Sequence, residues 1–153
     1  MPNETQNYLY ILGEKNEVLR FQNVHTVDHH KCLFWDFGVS RKILGDTNKE
    51  KFEKWGTTRA GLLTCLGHKL LIETATTPCN TWLTYVINKY PTLKFVMYFV
   101  DEFGEEFYGS VVGEHGNIIQ NEYYDITNMK LHKSNDIYNT YVEKLLKTHG
   151  LSR

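Results

Sequence analysis

Lys69 to Val100 reads KLLIETATTPCNTWLTYVINKYPTLKFVMYFV, and this stretch decides the fold class. Lys69 to Thr76 predicts a strand, because the β-branched Ile72, Thr74 and Thr76 favour extended backbone. Thr77-Pro78 predicts a helix start, with threonine as N-cap and proline at the first helical position, where a missing N–H costs nothing. Trp82, Leu83, Val86, Ile87 and Tyr90 then recur at i, i+1, i+4, i+5 and i+8. That spacing makes one apolar stripe that faces a sheet. Tyr90-Pro91 ends the helix near Lys89. Leu93 to Val100 is almost wholly apolar, the pattern of a central strand covered on both faces.

Working outward, Glu106 to Gly113 and Ile118 to Tyr124 predict two further strands around the turn Glu114-His115-Gly116-Asn117. With Leu93 to Val100 they make an antiparallel meander. Asn7 to Gly13 predicts an opening strand and Glu14 to Phe21 a short helix. At the other end, Ser134 or Asn135 caps a helix at about 135–149, with Ile137, Tyr138, Tyr141, Val142, Leu145 and Leu146 on one side and Gly150 as its stop. A polar, lysine-rich stretch at about 23–54 is a long excursion, of the kind that often carries function. The order is β, α, excursion, then β, α, β, β, β, α. It predicts one α+β domain over residues 1–153: a ferredoxin-like antiparallel sheet with helices on one face, a β-hairpin extension and a C-terminal helix.

A chain of 153 residues is long enough to bury a full core. Aromatic residues are 14% of it, which suits a sheet-rich core or an aromatic surface. A net charge of -1 argues against non-specific nucleic-acid binding, which needs clustered Lys and Arg. The three cysteines, Cys32, Cys65 and Cys79, form neither a disulfide framework nor a CxxC pair, so a reducing cytoplasm is expected. The N-terminus MPNETQNYLYIL lacks a basic, apolar leader pattern, and Phe95 to Val100 is too short to span a bilayer. Neither a membrane nor a cofactor is expected.

Candidate chemistry is sparse. His25 and His29 would share a face on a helix and, with Cys32, are weak metal candidates, since no second ligand pair completes them. Cys79 at a helix start is the best thiol, but no base accompanies it. A two-histidine phosphoesterase needs two His-x-Ser/Thr motifs, and only His132-Lys133-Ser134 fits. Tyr98 and Tyr108 are candidates for stacking RNA bases on a sheet, without the Lys/Arg-Gly-Phe/Tyr signature. Phe34, Trp35, Phe37, Phe52 and Trp55 cluster in or beside the excursion. They are either core that tucks the excursion down or anchors for a partner protein. With Arg59, the residues Phe34, Trp35, Phe37 and Trp55 form the expected partner-binding set.

Four landmarks between Lys54 and Ile119 carry a resemblance: Lys54-Trp55-Gly56-Thr57, Glu73-Thr74-Ala75 ahead of Pro78, Tyr90-Pro91 with Leu93-Lys94-Phe95, and Phe107-Tyr108-Gly109 followed by Gly116. They resemble the YubB-like ferredoxin-like domain of phage and plasmid proteins. Thr58, Arg59 and Ala60 stand where that family shows Lys-Trp-Asp, and Thr76 where it shows Trp. The resemblance implies an accessory role in a mobile element, including interference with host defence, in the cytoplasm of the host cell. The expected function is therefore a non-enzymatic module that binds and modulates a host protein. The alternatives are a small nucleotide- or nucleic-acid-processing enzyme using His25, His29 or His115, and a single-stranded RNA binder. A free sheet edge also allows a homodimer.

Overall fold

The computed structural model describes residues 3–25, 47–58, 60–66 and 68–153. It contains β1 (Glu4–Leu12), α1 (Lys15–His25), α2 (Asn48–Trp55), β2 (Ala60–Leu66), β3 (Lys69–Ala75), α3 (Asn80–Lys89), β4 (Lys94–Asp101), β5 (Phe107–Glu114), β6 (Asn117–Asp125) and α4 (Leu131–Thr148). The strands form a single sheet in the order β2-β3-β1-β4-β5-β6. Every neighbouring pair is antiparallel. The class is α+β.

Period-two alternation in β1 splits the sheet into two chemistries. Leu9 and Ile11 face one side, with Leu70, Ile72, Phe95, Met97, Phe99 and Val111. Val18 and Phe21 of α1 and Trp82, Leu83, Val86 and Ile87 of α3 cover that side. Tyr10, Val96, Tyr98 and Val112 face the other, beneath Val142, Leu145 and Leu146 of α4. The expected stripe of α3 is thus the buried one, and β4 is covered on both faces. Each fully buried Leu, Ile or Phe contributes about 1.5–3 kcal/mol, so this two-sided burial dominates the stability of the sheet.

Three boundaries differ from the sequence reading. Ala60–Leu66 is a strand that the reading did not assign. AGLLTCL is leucine-rich, holds a glycine and lacks alternation, so it carries no strand signature. Thr77 is not the cap of α3: the helix begins at Asn80, and the N-cap Cys79 makes no side-chain capping bond. Asn7, reaching from β1, accepts the Cys79 N–H through its Oδ1 at 3.4 Å. The final helix starts at Leu131, not at 135, with Lys130 as N-cap. Ser134 lies inside it, and its hydroxyl donates to the Gly104 carbonyl at 3.3 Å, tying α4 to the β4–β5 turn.

The Trp-Gly-Thr box and the β3–α3 junction form one hydrogen-bonded corner. Gly56, at φ 85, ends α2 and returns its N–H to the Phe52 carbonyl. Its carbonyl accepts the Thr77 hydroxyl at 2.6 Å, and the Thr57 hydroxyl donates to the Ala75 carbonyl at 3.1 Å. Between them Thr76 sits at φ 66, a left-handed conformation that is costly for a β-branched residue. Thr76 is exposed, so no packing requires its side chain. Thr76→Gly should raise stability by about 1 kcal/mol, read as a higher Tm in thermal melts. A lower Tm would show that the threonine is held there by contacts that outweigh the strain.

Candidate functional site

Most of the exposed large apolar side chains among the described residues lie on β6, the strand next to β5 at the end of the sheet. Ile118, Ile119, Tyr123 and Tyr124 are 38%, 56%, 59% and 41% exposed. A register shift between Val112 and Gly113 places an extra residue in β6 at Ile118–Ile119. On the α3 side, Tyr123 stacks on Phe107 with ring centroids 5.4 Å apart and lies 6.4 Å from the Phe99 ring. Gly109 lets β6 approach this close. A Cβ there would stand 2.1 Å from the Glu122 carbonyl and 2.6 Å from Phe99.

The α4 side of β6 is polar. Gln120 Nε2 donates to Ser110 Oγ at 2.9 Å. Ser110 Oγ and Tyr141 OH are 2.5 Å apart, and Tyr141 OH donates to Glu122 Oε2 at 3.1 Å. Tyr124 OH donates to the same carboxylate oxygen at 2.5 Å. Read from that acceptor, the protons run Gln120 to Ser110 to Tyr141 to Glu122. A groove of about 320 Å³ lies alongside, lined by Gln120, Glu122, Tyr141, Lys144, Thr148 and His149. Burial holds the His149 imidazole below its usual range, Lys94 lowers it further, and Glu114 opposes.

Behind the groove the tyrosines form a continuous ring-to-ring chain. Tyr8 stacks on Tyr98 at 4.7 Å; Tyr138 bridges Tyr98 and Tyr108 at 6.4 and 5.9 Å; Tyr108 meets Tyr141 and Tyr124, each at 5.1 Å. Burial pushes the phenols of Tyr8, Tyr98, Tyr108, Tyr138 and Tyr141 upward. The hydrogen bond to Glu122 does the same for Tyr124. Phenols of this kind keep their protons, so these tyrosines act as hydrogen-bond donors rather than as bases or nucleophiles.

The residues singled out in the sequence fall in different places. Trp55, one of the expected partner-binding residues, is 8% exposed and belongs to the core with Trp82 and Phe95. Phe52, one turn earlier, is half exposed. Phe34, Trp35, Phe37 and Arg59 lie outside the described residues, as do His29 and Cys32, and the side chain of His25 at the end of α1 is likewise not described. Tyr98 and Tyr108 are 2% and 5% exposed, with Tyr138 of α4 packed against both rings, so neither offers a face to a base. The Cys79 thiol is fully buried, and burial pushes it up to about 12, the reverse of an activated nucleophile. His115 is an exposed turn residue at φ 55, 3.8 Å from its neighbour Glu114. Among the described residues, no group of three or more His, Cys, Asp or Glu side chains is placed to hold a metal ion.

The sequence reading missed β6 as a site. Its signal was the apolar pairs Ile118-Ile119 and Tyr123-Tyr124 in a strand that closes a meander and, among the described residues, ends the sheet. No family model, curated protein or solved structure matches this chain. No described helix is long and apolar enough to cross a membrane.

The tyrosine chain makes a pH prediction. A phenol whose folded value is raised contributes stability that is fully present below the ordinary tyrosine range near 10 and is lost as pH rises toward the folded value. Absorbance titration at 295 nm should therefore show most tyrosines ionising late and steeply, together with loss of near-UV circular dichroism. Gradual ionisation near pH 10, with the fold intact, would contradict the packing described for this face.

Proposed function

We propose that this protein is a binding module without chemistry of its own, and that it recruits an extended segment of a partner protein onto β6. One observation carries this reading: the edge strand exposes Ile118, Ile119 and Tyr123 beside a stacked aromatic pair. A strand added at such an edge gains main-chain hydrogen bonds, while side-chain contacts on alternate positions set specificity. The late-titrating phenols and the buried Cys79 favour recognition over catalysis. We also read β1-α1-β2-β3-α3-β4, with strand order β2-β3-β1-β4, as the split βαβ plan of ferredoxin-like domains, with α2 inserted between α1 and β2 and with β5, β6 and α4 as additions. The likeness of Trp55-Gly56-Thr57 and its companion landmarks to the YubB-like family then suggests the setting: a mobile-element accessory protein that modulates a host protein in the host cytoplasm.

The test is affinity capture from bacterial lysate with mass spectrometry, comparing wild type with an Ile119→Lys/Tyr123→Lys variant whose fold is verified by circular dichroism. The expected result is one stoichiometric protein captured by wild type and lost with the variant. Equal capture by both proteins would sink the β6 assignment. A blank with folded wild type would count against the module as a protein binder.

A further inference from the structure

We propose that β6 also pairs with β6 of a second copy, making a two-fold dimer with one continuous sheet. This inference rests on reading β6 as a strand-recruiting edge. Four of the seven exposed large apolar side chains among the described residues, Ile118, Ile119, Tyr123 and Tyr124, belong to this strand. The strand NIIQNEYYD contains no Pro, Lys or Arg, the residues that commonly protect an edge from pairing. The Ile126 N–H bonds the Glu106 carbonyl on the β5 side. Alternation then turns the N–H and C=O of Asn121, Tyr123 and Asp125 away from β5, toward the side on which no strand of the described residues pairs.

The sequence of β6 is complementary to itself when reversed about Asn121. Gln120 then lies across from Glu122, an amide that can donate to a carboxylate. Tyr123 falls against the Ile118–Ile119 bulge of the other copy, an aromatic on aliphatic pair. Past the bulge Asn117 lies across from Tyr124, and no like charges face each other. Centring the pair on Glu122 would oppose two carboxylates. Centring it on Tyr123 would set Ile119 across from Thr127, beyond the end of the strand. Of the registers centred on Asn121, Glu122 and Tyr123, the Asn121 register fits the charge and apolar pattern best.

The register is tested by cross-linking in a Cys32→Ser/Cys65→Ser background, where the remaining Cys79 is fully buried. Across the proposed axis the two residues 121 have Cα atoms about 5.5 Å apart, within reach of a disulfide. Two residues 123 would be displaced by four positions, roughly 13 Å, and out of reach. Under mild oxidation Asn121→Cys should give a dimer band on a non-reducing gel, and Tyr123→Cys should not. Sedimentation of the wild type across the micromolar range should show a monomer–dimer equilibrium, weakened about tenfold or more by Ile119→Lys. A wild type that stays monomeric throughout overturns the dimer, and so does cross-linking at 123 that equals or exceeds that at 121. A monomer that still captures a partner through β6 would remove the dimer and leave the recruitment reading standing. A dimer whose partner capture is unaffected by β6 variants would do the reverse.

Discussion

The Asn7 side chain joins the parts of this fold that sequence alone leaves separate. It is fully buried in β1, among leucines and isoleucines. Its amide donates to the Ile72 carbonyl and to Thr74 Oγ1, each at 3.0 Å, and its oxygen accepts the Cys79 N–H. A buried amide with no partners would cost several kcal/mol, so this one is tolerable only where strand, strand and helix end converge in one geometry. That demand fixes β1 against β3 and aims α3 across the sheet. Thr74 passes the constraint on, because its hydroxyl donates to the Thr77 carbonyl at 2.7 Å and Thr77 in turn holds Gly56. Hydrophobic burial supplies most of the free energy, but it is non-directional. The polar corner supplies the direction.

Asp101 plays the corresponding part at the C-terminal end of β4, two residues beyond the Phe99 that pairs with Asn7. It is 2% exposed, and its carboxylate accepts backbone N–H groups from Phe103, Glu105, Glu106 and Phe107 at 3.0–3.3 Å. This pins the β4–β5 turn and hence the register of β5. The β5–β6 hairpin needs no such device. His115 at φ 55 and Gly116 at φ 78 are both left-handed, as a tight two-residue turn requires, and its twist matches the strands it joins. The turns at both ends of β5 set the register of β6 against it, with one local bend at the Ile118–Ile119 bulge. An edge presented this way offers a partner strand an ordered row of donors and acceptors with little entropy left to lose.

Legibility in the sequence followed the strength of local signals. The stripe from Trp82 to Ile87, the apolar run from Phe95 to Val100 and the turn at His115-Gly116 each have a short-range physical cause, and each was found. The Thr77-Pro78 cap failed because a distant residue, Asn7, does the capping, and a contact across 72 positions leaves no local trace. The strand Ala60–Leu66 failed because its extended state is set by pairing with β3 rather than by β-branched residues. For the site, Trp55 looked the same as an anchor or as core, since aromatic composition does not encode which way a helix faces. The tyrosines of the α4 face were visible as a count but not as a chain.

Sequence position explains why the two faces of β6 differ so sharply. The α4 face of the sheet ends in Gln120, Glu122 and Tyr124, whose polar atoms engage Ser110 and Tyr141, so that side is already satisfied within the chain. The α3 face ends in Tyr123 and the Ile118–Ile119 bulge, which stay exposed although α3 packs alongside β6. Desolvating the first face would mean breaking charge-assisted hydrogen bonds, at about 1.5–3 kcal/mol each. Covering the second costs no hydrogen bond and removes apolar surface from water. A strand that adds to β6 therefore gains main-chain bonds along the edge and apolar contact on the α3 side, while the tyrosine network on the other side stays closed.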